Sequence, residues 1–193
     1  GFFCGEDADS EGKEGTYYVW DKKEIVKILG ENSGEIFCRV FGITQEGNFE
    51  GRNIPHLNGQ LPNIAKESGL SPQEAEISLK NARNTLLKIR ENRERPFLDD
   101  KILSGWNGLI IAALSRGGSL LQDQTLINSA RRGADFILSR LYDKNKKRLL
   151  RRWREGEAAI PAFLEDYSFF CWGLIELYMS CFESRYLQMA VQL

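Results

Sequence analysis

The sequence predicts an all-α fold: a partial α/α toroid of helical hairpins with minor extended segments. Three observations predict it. Apolar residues recur at three- and four-residue spacing in segment after segment, the period of a helix with one buried face. Two segments, 100–121 and 162–181, are apolar on nearly every side, while their neighbours are amphipathic. An all-apolar helix is buried on most sides, so these two read as inner helices and the amphipathic ones as outer. The chain also resembles itself after a shift of 60 residues. Leu109–Ala113 then overlays Phe169–Gly173, and Leu114, Asp123, Leu126, Ile127 and Ala130 overlay Leu174, Glu183, Tyr186, Leu187 and Ala190. A period of that length with two helices per unit is a stack of helical hairpins; an antiparallel bundle is the alternative.

The elements follow in order. Residues 1–20 are polar and glycine-rich, ending in the β-branched and aromatic run Thr16–Trp20, which reads as extended. Asp21-Lys22-Lys23-Glu24 opens a helix to Leu29, stopped by Gly30. A second helix spans about 33–41, residues 43–61 are loop-like, and a short helix covers about 62–68. Ser71-Pro72-Gln73-Glu74 starts a long helix carrying Ala75, Leu79, Ala82, Leu86 and Ile89 on one stripe, and Pro96 closes it. Helices follow from about Asp100 and from about Gln124. Residues 143–157 break the helical pattern with a charged turn and the strand-like Leu149–Trp153. An apolar helix (162–181) and a last helix from Ser184 complete the chain.

The 193 residues, 42% hydrophobic, suffice for a core, and the domain reading is one toroid fragment over 1–193. Basic residues number 26 and acidic 27. That balance argues against nucleic acid and against a polybasic membrane surface as partners. The apolar segment 160–182 is interrupted by Glu165, Asp166 and Glu176, so it reads as a core helix rather than a membrane span. Cys4, Cys38, Cys171 and Cys181 form no CxxC pair. Cys171 and Cys181 lie about 15 Å apart along one helix and cannot bridge. Reduced thiols and the lack of a signal peptide point to the cytoplasm. Both ends read as cut, so the chain is expected to be a piece of a longer protein. No dinucleotide, P-loop or nucleophile-elbow motif is present, and no cofactor is implied.

Several clusters could carry chemistry. Glu6–Glu11 places four carboxylates in six residues. Asp7 and Asp9 could hold a cation, but no Asp-x-Asp-x-Asp-Gly loop follows, and a solvated acidic loop explains them. Asp99-Asp100 precedes an apolar helix, where capping accounts for one aspartate but not two. Glu165-Asp166-Tyr167 opens the other apolar helix. Inner helices of successive repeats start at one end of a toroid, so these carboxylates, Trp106 and Tyr167 are expected to converge on a cavity. Paired carboxylates beside aromatic platforms suit sugar chemistry, with one acid, one base or nucleophile, and rings to stack on the pyranose. The lone His56 has no partner for nucleophilic catalysis or metal binding. Seven cations between Lys144 and Arg154 read as an exposed hairpin, with nucleic acid or an anionic sugar as the alternative.

Asp7-Ala8-Asp9-Ser10, Glu14–Trp20, Gly47–Gly51, Arg95–Lys101, Trp106–Leu109, Gly156-Glu157-Ala158 and Asp166-Tyr167, in that order, resemble blocks of the YyaL-like thioredoxin-domain-containing family, which includes an animal spermatogenesis-associated protein. The resemblance implies a thioredoxin-like domain followed by a six-hairpin toroid similar to N-acylglucosamine 2-epimerase and toroidal glycosidases. Only the toroid part matches here, so no redox activity carries over. The family usually has His at Phe97 and often Asp at Glu165. With only His56 remaining, a histidine-driven epimerase lacks its parts, whereas a carboxylate-driven hydrolase retains them.

The resulting expectation is a carbohydrate-active or carbohydrate-binding domain. Asp99 or Asp100 would work with Asp166 as acid and base. Trp106, Asn107, Tyr167, Glu165, Trp20, Asp7 and Asp9 would line a small-sugar site. The competing expectation is a non-catalytic scaffold whose aspartates are caps. An incomplete ring would also expose inner-helix surface and self-associate.

Overall fold

The computed structural model describes residues 1–193. The strands β1 (Gly5–Glu6), β2 (Asp9–Ser10) and β3 (Lys13–Glu14) precede the helices α1 (Lys22–Leu29), α2 (Glu31–Val40), α3 (Leu61–Glu67) and α4 (Pro72–Glu91). Next come β4 (Leu98–Asp99), β5 (Ile102–Leu103), α5 (Ser104–Leu121) and α6 (Gln124–Arg140). The strands β6 (Tyr142–Asp143), β7 (Arg148–Arg154) and β8 (Glu157–Pro161) lead to α7 (Leu164–Cys181) and α8 (Ser184–Gln192). No helix is long and apolar enough to cross a membrane. Backbone contacts divide the chain into two units, Asp7–Phe97 and Gly1–Glu6 with Leu98–Leu193.

In the Asp7–Phe97 unit the helices start where the sequence places their caps. The Asp21 side chain accepts from Lys23 N, and Ser71 and Glu74 accept from each other's backbone N–H in a reciprocal capping box. The core gathers Trp20, Ile25, Ile36, Phe37, Val40, Ile64, Leu79 and Leu86. Two readings need correction. The acidic segment is a β-hairpin: β2 pairs antiparallel with β3, and the two-residue turn Glu11-Gly12 takes positive φ at both positions. Such a turn matches the twist of the strands it joins. Thr16–Val19 is turn rather than strand, since Tyr18 N and Val19 N both bond Gly15 O, and only Trp20 makes an extended pair, with Asn53. The carbonyls of Thr16, Tyr17 and Val19 instead accept from the Arg93 guanidinium, which also lies 4.0 Å over the Trp20 ring.

The Leu98–Leu193 unit realises the repeat residue for residue. α5 and α7 are both 18 residues long, and Ser104 and Leu164 stand 60 residues apart. Each helix ends on a left-handed residue, Gln122 or Phe182, and α6 and α8 begin two residues later. α5 and α7 run parallel, with Gly105 against Asp166 and Ser115 against Ser180. α6 packs on α5, and α8 on α7. This is the arrangement of two neighbouring hairpins of an α/α toroid, inner helices side by side and outer helices behind. The core between them holds Ile111, Ile127, Ala134, Ile137, Phe170, Leu174 and Leu177. α5 starts at Ser104 rather than near Asp100, because Ile102 and Leu103 are drawn into a sheet with Trp153 and Arg152 of β7. β7 pairs with β5, β6 and β8.

Two glycines of α5 respond oppositely to the same change. A Cβ on Gly108 would sit 2.4 Å from the Phe169 carbonyl, whereas at Gly117 its nearest neighbour would be 3.9 Å away. Gly108→Ala is expected to destabilise the unit by about 1–3 kcal/mol, and Gly117→Ala to stabilise it by about 0.5–1 kcal/mol through helix propensity. Urea denaturation followed by circular dichroism reads both signs.

The capping box predicts a pH dependence. Hydrogen bonds from the Ser71 side chain, then from its backbone, hold the Glu74 carboxyl below its usual 4.5. A depressed folded-state pKa stabilises fully above the unfolded value and loses that stabilisation as pH falls through the folded value. Ser71→Ala should therefore lower the melting temperature at neutral pH, with the difference shrinking below about pH 4.

Candidate functional site

Asp166 is the centre of the carboxylate cluster, and it is 2% exposed. Its Oδ1 accepts from Gly105 N at 3.3 Å, at the start of α5. Its Oδ2 accepts from Phe163 N at 2.9 Å, at the start of α7, and from the Arg151 guanidinium at 3.2 Å. One carboxylate thus satisfies a terminal N–H of each inner helix and places its charge at the positive end of both dipoles. Arg151 also bonds Glu165 at 2.8 Å, which together with the Asp166 charge raises the guanidinium's pKa, and its head lies 5.1 Å over the Phe163 ring.

This geometry gives Asp166 a structural role at the starts of both inner helices. A general acid or base needs an oxygen facing the reacting group; here the Asp166 oxygens face the Gly105 and Phe163 N–H groups and the Arg151 guanidinium. Two further residues expected to line the site make hydrogen bonds within the fold. Asn107 is buried; its Oδ1 accepts from Phe2 N, and its Nδ2 donates to Phe2 O and Leu103 O. The Tyr167 hydroxyl accepts from Leu149 N at 2.9 Å.

Asp99 and Asp100 do not cap α5, whose N-cap is Leu103. Asp99 pairs with Gly5 across β4 and β1 and lies 3.2 Å from Lys101 Nζ. Asp100 Oδ1 lies 2.8 Å from Arg154 Nε, in an orientation that makes a charge contact without an aligned hydrogen bond. Neither shares a partner with Asp166. Trp106 stands 56% exposed on the first turn of α5, and Glu165 is exposed beside Arg151. Trp20, Asp7 and Asp9 belong to the other unit. Trp20 is core, and Asp7 and Asp9 are exposed at the β2–β3 hairpin, where Asp7 Oδ1 accepts from Asp9 N. No three His, Cys, Asp or Glu side chains gather as a metal site. His56 is tied to Asn48 and near the Ile54 carbonyl in a loop of the Asp7–Phe97 unit.

Arg151 is the residue that sequence reasoning missed. The run 144–154 reads as a solvated hairpin, yet Arg151, Arg152 and Arg154 hold Asp166, Glu157 and Asp100. A signal was present: Arg151 lies between Leu149 and Trp153 at strand period two, on the face that turns inward. A cation on that face requires a buried anion.

No family model matches the chain. It is similar over its full length to spermatogenesis-associated protein 20 of Homo sapiens (33% identity) and of Mus musculus (31%), covering 29% of each. It is also similar to an uncharacterized protein of Caenorhabditis elegans, at 29% identity over all of the chain and 30% of that protein. The chain therefore spans under a third of the relatives it matches. Among solved structures, a GH76 alpha-mannanase from Bacteroides thetaiotaomicron aligns at a TM-score of 0.46 and 12% identity, over 89% of this chain and 58% of that one.

Asp166→Ala strands Gly105 N and Phe163 N and leaves Arg151 with Glu165 as its remaining carboxylate. It is expected to cost about 2–4 kcal/mol, read as a fall in melting temperature. A group kept for catalysis behaves differently, because its removal commonly leaves stability unchanged or raised.

Proposed function

We propose that the chain is a structural wedge of a larger α/α helical ring, a scaffold whose outer inner-helix face seats a further hairpin. The observation that carries this reading is the exposed stripe Leu164, Ser168, Trp172, Ile175 and Met179 on α7. Its four- and three-residue spacing puts it on one helix face, and Leu164 is 83% exposed and Met179 61%. By the 60-residue register these are the counterparts of Ser104, Gly108, Ala112, Ser115 and Ser119 on α5. Of those, Gly108 and Ser115 lie directly beneath α7. The face that α7 covers on its neighbour is thus repeated on α7 itself, in larger apolar side chains and without a cover. An apolar stripe of this extent marks an interface. The occupant is a helix of the same repeat, parallel to α7, and the relatives have ample chain to supply one. On this reading the aspartates are clamps, and the ring accompanies the thioredoxin-like domain of the family in the reducing cytoplasm.

A 193-residue chain can offer this stripe only a second copy of itself. Sedimentation velocity should show concentration-dependent association, abolished by Trp172→Glu with Met179→Glu at unchanged circular dichroism. A wild-type chain that stays monomeric overturns the reading.

A sugar-binding role is favoured by one observation, the exposed Trp106 ring on the turn that follows the Asp99–Asp100 segment. It assigns Asp99 or Asp100 to the acid/base work and leaves Asp166 to hold the helix starts. A panel of mono- and oligosaccharides screened by saturation-transfer NMR should then give a binder that Trp106→Ala and Asp100→Asn both lose. A panel with no binder ends that reading.

A further inference from the structure

We infer that the Asp7–Phe97 unit binds a small organic carboxylate with a flat apolar body, in a cleft between the aromatic core and α4. The cleft has a volume of about 330 Å³. Trp20, Phe37, Phe41, Pro55, Leu86 and Leu87 give it apolar walls, and Arg83, Asn84 and Arg90 stand along the α4 edge. All of these residues lie within one unit.

The arginines give the ligand its sign. Elsewhere in the unit Arg39 pairs with Glu67, and Arg52 and Arg93 pair with Glu24. Arg83 and Arg90, seven residues and two helical turns apart on one face of α4, hold no carboxylate. Arg90 places its guanidinium 5.5 Å from the Tyr17 ring centre, yet its Nε is shut off from solvent and has no acceptor. An arriving carboxylate would meet the Arg90 guanidinium through its terminal nitrogens, a charge-assisted hydrogen bond. The helix dipole explains a cation in the last turn of α4. It does not explain Arg83, two turns earlier on the same face.

The walls give the ligand its body. A volume of about 330 Å³ sits at the low end of ligand pockets, about 300–1,000 Å³, which suits one or two fused rings. A sugar is a poor fit, because its hydroxyls would face Trp20, Phe37, Phe41 and Leu86 without partners. A carboxylate matches the guanidinium fork in shape and charge. Leu87, 45% exposed at the cleft, is the apolar side chain that such a body would cover.

The test is isothermal titration calorimetry of the 193-residue chain with 2-naphthoate and with its neutral analogue 2-naphthylmethanol. Naphthoate should bind one to one, and the alcohol about tenfold or more weaker, as expected for loss of a charge-assisted hydrogen bond. Arg83→Gln and Arg90→Gln should each weaken naphthoate and leave the alcohol unchanged. Leu87→Glu, at an exposed position, should abolish naphthoate binding while circular dichroism stays the same. Absence of naphthoate binding, equal affinity for the two probes, or indifference to all three substitutions overturns the inference. These readouts are independent of self-association, so this site and the α7 stripe stand or fall separately.

Discussion

The Leu98–Leu193 unit depends on one contact, the backbone-to-backbone approach of α5 and α7. Gly108 and Gly173 carry no side chain because each faces the other helix's main chain. Parallel helices this close bring their N-termini together, and parallel dipoles side by side repel. Asp166 answers that repulsion by accepting an N–H from the start of each helix. Arg151 in turn offsets the cost of burying the carboxylate. Close packing, shared cap and inward-facing arginine are therefore consequences of one another.

The same chain of causes reassigns the charged motifs. Acidic residues at helix starts and a basic run in a hairpin look like two separate functional signals along the sequence. In the fold they neutralise each other: β7 brings Arg151 to Asp166 and Glu165, and Arg154 to Asp100. What remains uncompensated is different in kind. It is an apolar stripe on α7 and, in the Asp7–Phe97 unit, two arginines beside an aromatic cleft.

Much of this was legible in the residues. The caps at Asp21 and Ser71, the stop at Gly30 and the 60-residue register each rest on local chemistry: an Asp or Ser oxygen reaching a nearby N–H, a residue free to take positive φ, a recurring apolar face. The roles of Asp166, Asn107 and Tyr167 were not legible, because their partners Gly105, Phe2 and Leu149 lie 61, 105 and 18 residues away. Trp20 shows the same limit. Its sequence neighbourhood groups it with a small-sugar site beside Trp106 and Tyr167, while it lies in the core of the Asp7–Phe97 unit with Ile25, Phe37 and Leu86 and its ring is covered by Arg93.

By itself the sequence determined the caps at Asp21 and Ser71, that the helices come in hairpins, and which helices are inner. Those properties follow from hydrogen bonds and periodicities that span a few residues, or from a repeat visible as text. Only the tertiary structure decided which carboxylates are spent, which cations are free, and which apolar face is left open. The physical reason is that burial and charge compensation are properties of neighbours in space. A strand seven residues long, β7, brings Arg151 beside the carboxylate that holds the starts of two helices.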